Sequence, residues 1–225
     1  MRPLVIAIDG PSGAGKGTIA RTIADRLAYR HVDTGAMYRA VAWQARQRGI
    51  DLTDGAAVAD VARHATFVLG PRTVIDGHDV TADIRTPAID DAAAIVARHP
   101  EVRAILVERQ RQYGEGGGVV MEGRDIGTVV FPDADVKVYL DASPEERARR
   151  RAGDPAHSAG RDAGPVETVA QALAARDRSD RTRSASPLML AHDALYLDTT
   201  GVPIEEVVAR VLDAVDATRA RAGVR

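Results

Sequence analysis

Residues 4–18 read LVIAIDGPSGAGKGT: an unbroken apolar run, a glycine-rich turn and then a lysine. Leu4 to Ile8 suits a strand covered on both faces. From Lys16 the apolar positions Ile19, Ile23 and Leu27 keep helical spacing. A buried strand that enters a helix through a glycine loop suits a sheet with helices packed on it, the arrangement of the α/β class. The loop has a chemical meaning as well. Its glycines, Gly10, Gly13, Gly15 and Gly17, let successive N–H groups turn inward around an anion, while the helix offers its positive end. Lys16 adds a point charge for the outer phosphates of ATP, and the hydroxyl of Thr18 is placed to help hold Mg²⁺. The whole run of Gly10, Pro11, Ser12, Gly13, Ala14, Gly15, Lys16, Gly17 and Thr18 is therefore a candidate phosphate site, with Lys16 as its cation and Thr18 as the metal contact. Only Lys16 and Lys137 are lysines among 30 Lys plus Arg, so the loop lysine stands out from an arginine background.

The common phosphate loop has Ser or Thr directly after the lysine. Here Gly17 intervenes. The tetrad GKGT resembles the loop of nucleoside monophosphate kinases, whereas switch GTPases and most motor ATPases carry the hydroxyl next to the lysine. A GTPase also needs Asn-Lys-x-Asp to read guanine, and this chain contains no asparagine.

The rest of the chain extends the α/β pattern. Helices are expected over Tyr38–Arg48, Ile89–Arg98, Pro100–Tyr113, Ser143 to Arg151 with a capping box, Val166–Asp177 and Ile204–Ala217. Strands are expected at Val119–Met121, Val136–Leu140 and Leu195–Leu197, with short ones at Phe67–Leu69 and Val74–Ile75 before an Asp76-Gly77 hairpin turn. The glycine cluster 114–118 reads as a flexible connection, and 153–164 as a polar loop. Strands alternating with helices imply a parallel sheet wrapped on both sides in one 225-residue domain. A formal charge of −2 without a basic field argues against nucleic acid as partner, and absent cysteine removes disulfides and thiolate chemistry. No apolar stretch is long enough for a membrane helix and no leader pattern opens the chain, so a cytoplasmic location without a membrane partner is expected. The six histidines show no ligand spacing.

Three further segments combine arginines with carboxylates: VDTGAMYRA at 32–40, MEGRDIGTVVFPDA at 121–134 and ARDRSDRTR at 175–183. Glu122, Arg124 and Asp125 follow an apolar run, at the strand end where wound sheets bind ligands. Taken with DGHDVTADIRT, HPEVRAILVERQR and RDRSDRTRSASPL, these stretches resemble the bacterial cytidylate kinases from the first strand to the last.

The resemblance implies a nucleotide-kinase fold with a phosphate loop, an inserted nucleoside monophosphate segment at about 34–115, a lid at about 147–165, and phosphorylation of CMP or dCMP by ATP with Mg²⁺ in a monomer. It implies that Thr34 and Asp125 meet the cytosine amine and Arg103 meets the base from another side. Arg39, Arg124 and Arg183 would hold the CMP phosphate, with Tyr38 beside them. Arg176 and Asp180 would lie near the sugar and the reacting phosphates, and Arg124 and Arg176 would join Lys16 as catalytic cations. Three features depart from the family pattern: the lid, RRRAGDPAHSAGRDAG, is rich in Gly, Ala and Pro and does not single out the arginine that meets the transferred group, and two positions differ. Ala94 stands where a serine is frequent and cannot offer a hydroxyl to the sugar, and Glu122 replaces a frequent Asp with a longer arm. The remaining alternatives are a kinase for another small acceptor and a nucleotide-binding regulator without catalysis.

Overall fold

The computed structural model describes residues 2–154 and 166–223. Five strands form one parallel sheet: β1 (Val5–Asp9), β2 (Arg30–Asp33), β6 (Val119–Gly123), β7 (Val136–Asp141) and β8 (Leu195–Asp198), ordered β2-β6-β1-β7-β8. β1 lies centrally and pairs Ile8 with Glu122 on one side and with Val138 on the other. The glycine loop therefore leaves the sheet at its carboxyl edge between two strands, where ligand crevices form in wound sheets. β6 is buried along its whole length, which explains its continuous apolar reading.

Helices α1 (Lys16–Leu27) and α8 (Ile204–Gly223) cover one face of the sheet, where Ile6, Ile8, Ile23, Val138 and Leu140 pack against Val208, Val211 and Val215. A second apolar unit, with Met37, Val41, Val58, Val96 and Leu106, joins α2 (Thr34–Gln47), α3 (Gly55–His64), α4 (Pro87–Val96) and α5 (Pro100–Gly114). Attached to it is a three-stranded antiparallel sheet, β3 (Phe67–Val68), β4 (Val74–Ile75) and β5 (His78–Asp79). The expected Asp76-Gly77 turn joins β4 to β5, with both residues at positive φ, 48° and 81°. α6 (Pro144–Ala152) and α7 (Val166–Thr182) pack on each other beside the phosphate loop.

Several local expectations need correction. β2 and α3 were not foreseen: β2 has one apolar residue in four, and α3 presents small alanines with only two valines. α2 starts at Thr34 rather than Tyr38, because Asp33 caps it by accepting from the Ala36 N–H at 3.1 Å. α7 runs past Asp177 to Thr182. Glycines 116–118 are not a loose connection; all three hold positive φ, and a side chain at Gly117 would collide with the Pro3 carbonyl. The capping box at α6 is half made. Ser143 accepts from the Glu146 N–H, but Glu146 turns to Arg149 and Arg150 while Thr200 takes the Ser143 N–H. Most of the polar loop expected at 153–164 and most of the expected lid fall on residues 155–165, outside the described residues.

Candidate active site

One cavity of about 1030 Å³ opens at the carboxyl edge of the sheet. It is lined by Ser12 through Thr18 and also by Thr34, Tyr38, Arg39, Arg103, Arg124, Asp125, Arg176, Asp180 and Arg183, so α1, α2, α5, α7 and β6 converge on one space. Gly10 and Pro11, the remaining members of the expected loop site, do not line it. Gly10 instead packs against the Leu140 backbone of β7, and the Pro11 carbonyl accepts from Lys16 Nζ at 2.7 Å.

The bare position after the lysine has a close neighbour. A Cβ at residue 17 would lie 3.2 Å from Glu122 Oε1, tighter than about nine in ten real Cβ contacts. A side chain there would require the Glu122 carboxylate, at the end of β6, to give by a few tenths of an ångström from the first turn of α1. Glu122 Oε1 also contacts His31 Nε2 at 2.9 Å. Thr18 lies one step further on the helix, exposed at the cavity wall.

The arginines come with carboxylates behind them. Arg39 Nη2 donates to Asp33 Oδ2 at 2.7 Å, and Arg124 Nε donates to Asp180 Oδ2 at 2.9 Å. Arg151 Nη2 donates to Asp90 Oδ2 at 2.6 Å, and Arg176 donates to the Asp90 carbonyl. Arg183, grouped with Arg39 and Arg124 by the resemblance, shares a carboxylate with Arg124: its Nη1 donates to Asp180 Oδ1 at 3.2 Å. It lies beside Asp125, which also pairs with Arg103, and Arg183 Nη2 is 3.8 Å from Asp125 Oδ1. Arg103 in turn lies over the Tyr38 ring, 5.3 Å from its centroid. Thr34 points its hydroxyl to the Glu122 carbonyl at 2.7 Å. Ala94 does not line the cavity, whereas Asp90, Asp91 and Ala97 of the same region do.

The electrostatics describe a cation-rich hollow. Burial, reinforced by nearby Arg124, lowers Lys16 to about 7. Burial and neighbouring arginines likewise lower Arg151, Arg176 and Arg183 below the ordinary arginine range, although Asp90, Asp180 and Asp125 oppose this. Burial would raise Asp180, yet Arg124, Arg176 and Arg183 outweigh it and hold the carboxyl below its usual range. Burial pushes Tyr38 up to about 12 and Asp9 up to about 6. For Asp9 the N–H groups of Ile126 and Gly127 pull the other way, at 2.8 and 2.7 Å. Four guanidinium nitrogens of the cavity residues, Arg39 Nε, Arg103 Nε, Arg176 Nε and Arg183 Nη2, are buried without a hydrogen-bond partner. Two of them face carboxylates beyond hydrogen-bond reach, Arg176 Nε at 3.5 Å from Asp180 Oδ2 and Arg183 Nη2 at 3.8 Å from Asp125 Oδ1.

Sequence reasoning overlooked Asp33, Asp90, Arg85 and Arg151 at the cavity wall. Asp33 was legible as the cap of α2, since it precedes Thr34-Gly35-Ala36; Asp90 carries no local signal. Among the described residues no three acidic or imidazole groups gather into a metal site.

The cytidylate kinase family pattern matches residues 6–217. A protein named cytidylate kinase from Desulfitobacterium hafniense (strain Y51) is 51% identical over 213 residues, covering 93% of this chain and 91% of its own. Those of Pelotomaculum thermopropionicum and Bacillus subtilis (strain 168) are 49% and 46% identical over 220 residues each, with 95% and 96% of this chain and 96% and 97% of theirs covered. The crystal structure of a gluconokinase from Sinorhizobium meliloti 1021 aligns with a TM-score of 0.53 at 14% identity, covering 99% of this chain and 97% of that one, and shares the fold. The chain belongs to the cytidylate kinase family.

Proposed function

We propose that this kinase transfers the γ-phosphoryl group of ATP to CMP, and to dCMP, giving the nucleoside diphosphate and ADP. The observation that carries the reading is the group of arginines, Arg39, Arg103, Arg124, Arg176 and Arg183, that lines the same cavity as the Lys16 loop. ATP phosphates lie in the loop 10–18 with Lys16 on the outer oxygens. The CMP phosphate lies among Arg39, Arg124 and Arg176, and the cytosine lies against Thr34, Asp125, Arg103 and Arg183. The segment at about 34–115 presents CMP, and the region at about 147–165 acts as the lid. A monomer acting in the cytoplasm completes the reading. Among the described residues no helix is long and apolar enough to cross a membrane.

Mg²⁺ fits the oxygen donors at hand. The Glu122 carboxylate and Thr18 hydroxyl border the start of α1, and a hard cation with few protein ligands would be held jointly with the nucleotide phosphates. Bound there, it would neutralise charge on the β- and γ-oxygens.

The residues do the rest by position and charge. A CMP phosphate oxygen attacks the γ-phosphorus as the bond to ADP breaks, and no base is needed because the attacking oxygen is already anionic. Arg124 and Arg176 stabilise charge spreading over the transferred group; by analogy with an arginine finger, one such group is worth about 10³ to 10⁵ in rate, roughly 4 to 7 kcal/mol. The carboxylate of Asp125 accepts from the cytosine amine and opposes the uracil carbonyl, a difference of about 1 to 3 kcal/mol. A coupled ADP-release assay with CMP, dCMP, UMP and AMP tests the reading. Release driven by CMP and dCMP is expected; equal release with all four, or none with CMP, overturns it.

A further inference from the structure

Ser12 belongs to the phosphate loop by its main chain and to the arginine cluster by its side chain. Its hydroxyl accepts from Arg124 Nη2 at 3.2 Å. Behind it, the Ser12 N–H donates to Asp177 Oδ1 at 3.3 Å and its carbonyl accepts from Arg147 Nη1 at 3.1 Å. Asp177 Oδ2 and Arg147 also pair with each other, and both residues are buried, at 5% and 7% exposure. Arg147 Nε is fixed further by the Ala142 carbonyl at 3.1 Å. Gly13 closes the fit, since a Cβ there would fall 2.9 Å from the Arg147 carbonyl oxygen. Neither Arg147 nor Asp177 lines the cavity, so neither touches substrate in this arrangement.

The bracing has a second half. Asp177 and Asp180 sit three residues apart on α7, and Asp180 Oδ2 accepts from Arg124 Nε at 2.9 Å. The contacts therefore close a ring: Asp177 to the Ser12 backbone, the Ser12 hydroxyl to Arg124, Arg124 to Asp180, and back through one turn of helix. A buried ion pair is on its own weak grounds for stability, since apolar residues of similar volume often serve as well. A pair gripping both polar atoms of one loop residue has another use. It fixes the angle at which that residue meets the neighbouring subsite.

We propose that Arg147 and Asp177 are a positioning pair that sets Ser12 between the two substrate subsites, so that occupancy of the phosphate loop is felt at Arg124 and occupancy at Arg124 is felt in the loop. This rests on the assignment of loop and arginines to ATP and CMP. The coupling is reciprocal, as binding linkage requires. Displacing the loop by a fraction of an ångström would spoil alignment for transfer without removing any contact to either nucleotide alone.

The test uses the full chain with Arg147→Met and Asp177→Leu together, which removes the ion pair without leaving a buried charge. Calorimetric titration gives the CMP affinity with and without a non-hydrolysable ATP analogue. In the unmutated chain the analogue is expected to shift CMP affinity by a factor of about 5 to 150. In the double variant that factor should fall to about 2 or less, with kcat down about 10- to 100-fold and the affinity for each nucleotide alone nearly unchanged. Circular dichroism and the melting temperature establish that the variant is folded. If it is not, Arg147→Lys, which keeps a charge beside Asp177 but loses the planar fork that reaches the Ser12 and Ala142 carbonyls together, carries the same reading. A folded variant that keeps the full coupling factor overturns the proposal, as does an unmutated chain in which ATP and CMP bind independently. Failure of CMP-dependent ADP release in the unmutated chain would instead sink the assigned reaction, so the two failures are distinct.

Discussion

Asp125→Asn separates base reading from structural pairing. Asp125, Arg103 and Arg183 are exposed by only 5%, 3% and 5%. Arg183 Nη2 stands 3.8 Å from Asp125 Oδ1, and Arg103 is closer still on the other oxygen. At 3.8 Å and an effective dielectric near 20, one such attraction is about 4 kcal/mol. Removing one partner of a buried pair costs about 3 to 5 kcal/mol, since the other charge is left uncompensated. Here two guanidinium groups then face each other, so the upper end applies. For a domain of this size each kcal/mol moves Tm by about 2 to 4 °C, and a fall of roughly 10 to 20 °C is expected by calorimetry or dye-monitored melting. The second effect is on selectivity. An asparagine amide can turn its NH₂ toward the uracil carbonyl, so the CMP-to-UMP ratio of kcat/KM should drop by about 5- to 150-fold, corresponding to about 1 to 3 kcal/mol. The two readouts are independent. A large Tm loss with the CMP-to-UMP ratio within about twofold of the unmutated value would show that Asp125 only holds Arg103 and Arg183, and the base-reading argument would be refuted.

Asp33→Ala removes the α2 cap and frees Arg39; a loss of about 1 kcal/mol, or 2 to 4 °C, should accompany a raised KM for CMP at unchanged KM for ATP, and equal effects on both would argue against Arg39 at the CMP phosphate. Gly17→Ala forces the Glu122 carboxylate back from 3.2 Å and should lower kcat about tenfold while melting stays within a few degrees; undiminished activity would show that the bare position has no bearing on catalysis. Lys16, at about 7 in the free chain, must be charged to meet phosphates. Anionic ATP raises its bound value, so the affinity is fully present below pH 7 and weakens up to tenfold per unit as pH rises above it, with proton uptake visible by calorimetry in buffers of different ionisation heat. Titrations without net proton uptake at pH 8 would contradict this.

Much of the architecture could be read in advance where one signal dominated. The run from Leu4 to Ile8, the glycine loop and the helical spacing after Lys16 reinforce each other, so strand, turn and helix agree at every level. β2 was lost because Arg30, His31 and Asp33 leave only Val32 to advertise a strand, and its placement is set by pairing with β6 rather than by its own residues. α3 buries alanines and two valines, a face too weak to stand out. The site divides in the same way. Arg39, Arg124, Arg176 and Arg183 were visible as members of charged motifs, but which of them share a neighbourhood depends on how α5, α7 and β6 meet. Arg183 lies between the two groups, donating to Asp180 beside Arg124 and standing 3.8 Å from Asp125, which its place in a charged motif does not record. Asp90 belongs to the site only because α4 lies across from α6 and α7, a fact of packing that no run of residues records.

The pairing of each cation with a carboxylate bears on how such a hollow can exist without a ligand. Arg39, Arg124 and Arg151, crowded at one place, would repel each other if left bare. Asp33, Asp180 and Asp90 neutralise them from behind at 2.7, 2.9 and 2.6 Å. These carboxylates are themselves anchored: Asp33 spends its other oxygen on the Ala36 N–H, and Asp180 also accepts from Arg183 at 3.2 Å. Each arginine is thereby held at one edge and cannot collapse onto its partner. Among the described residues the Nε of Arg39 makes no hydrogen bond. Each buried donor left without an acceptor costs about 1 to 3 kcal/mol. A phosphate that supplies an oxygen to that nitrogen removes the penalty without first breaking a pair, so the orientation required for transfer is already set when the nucleotide arrives.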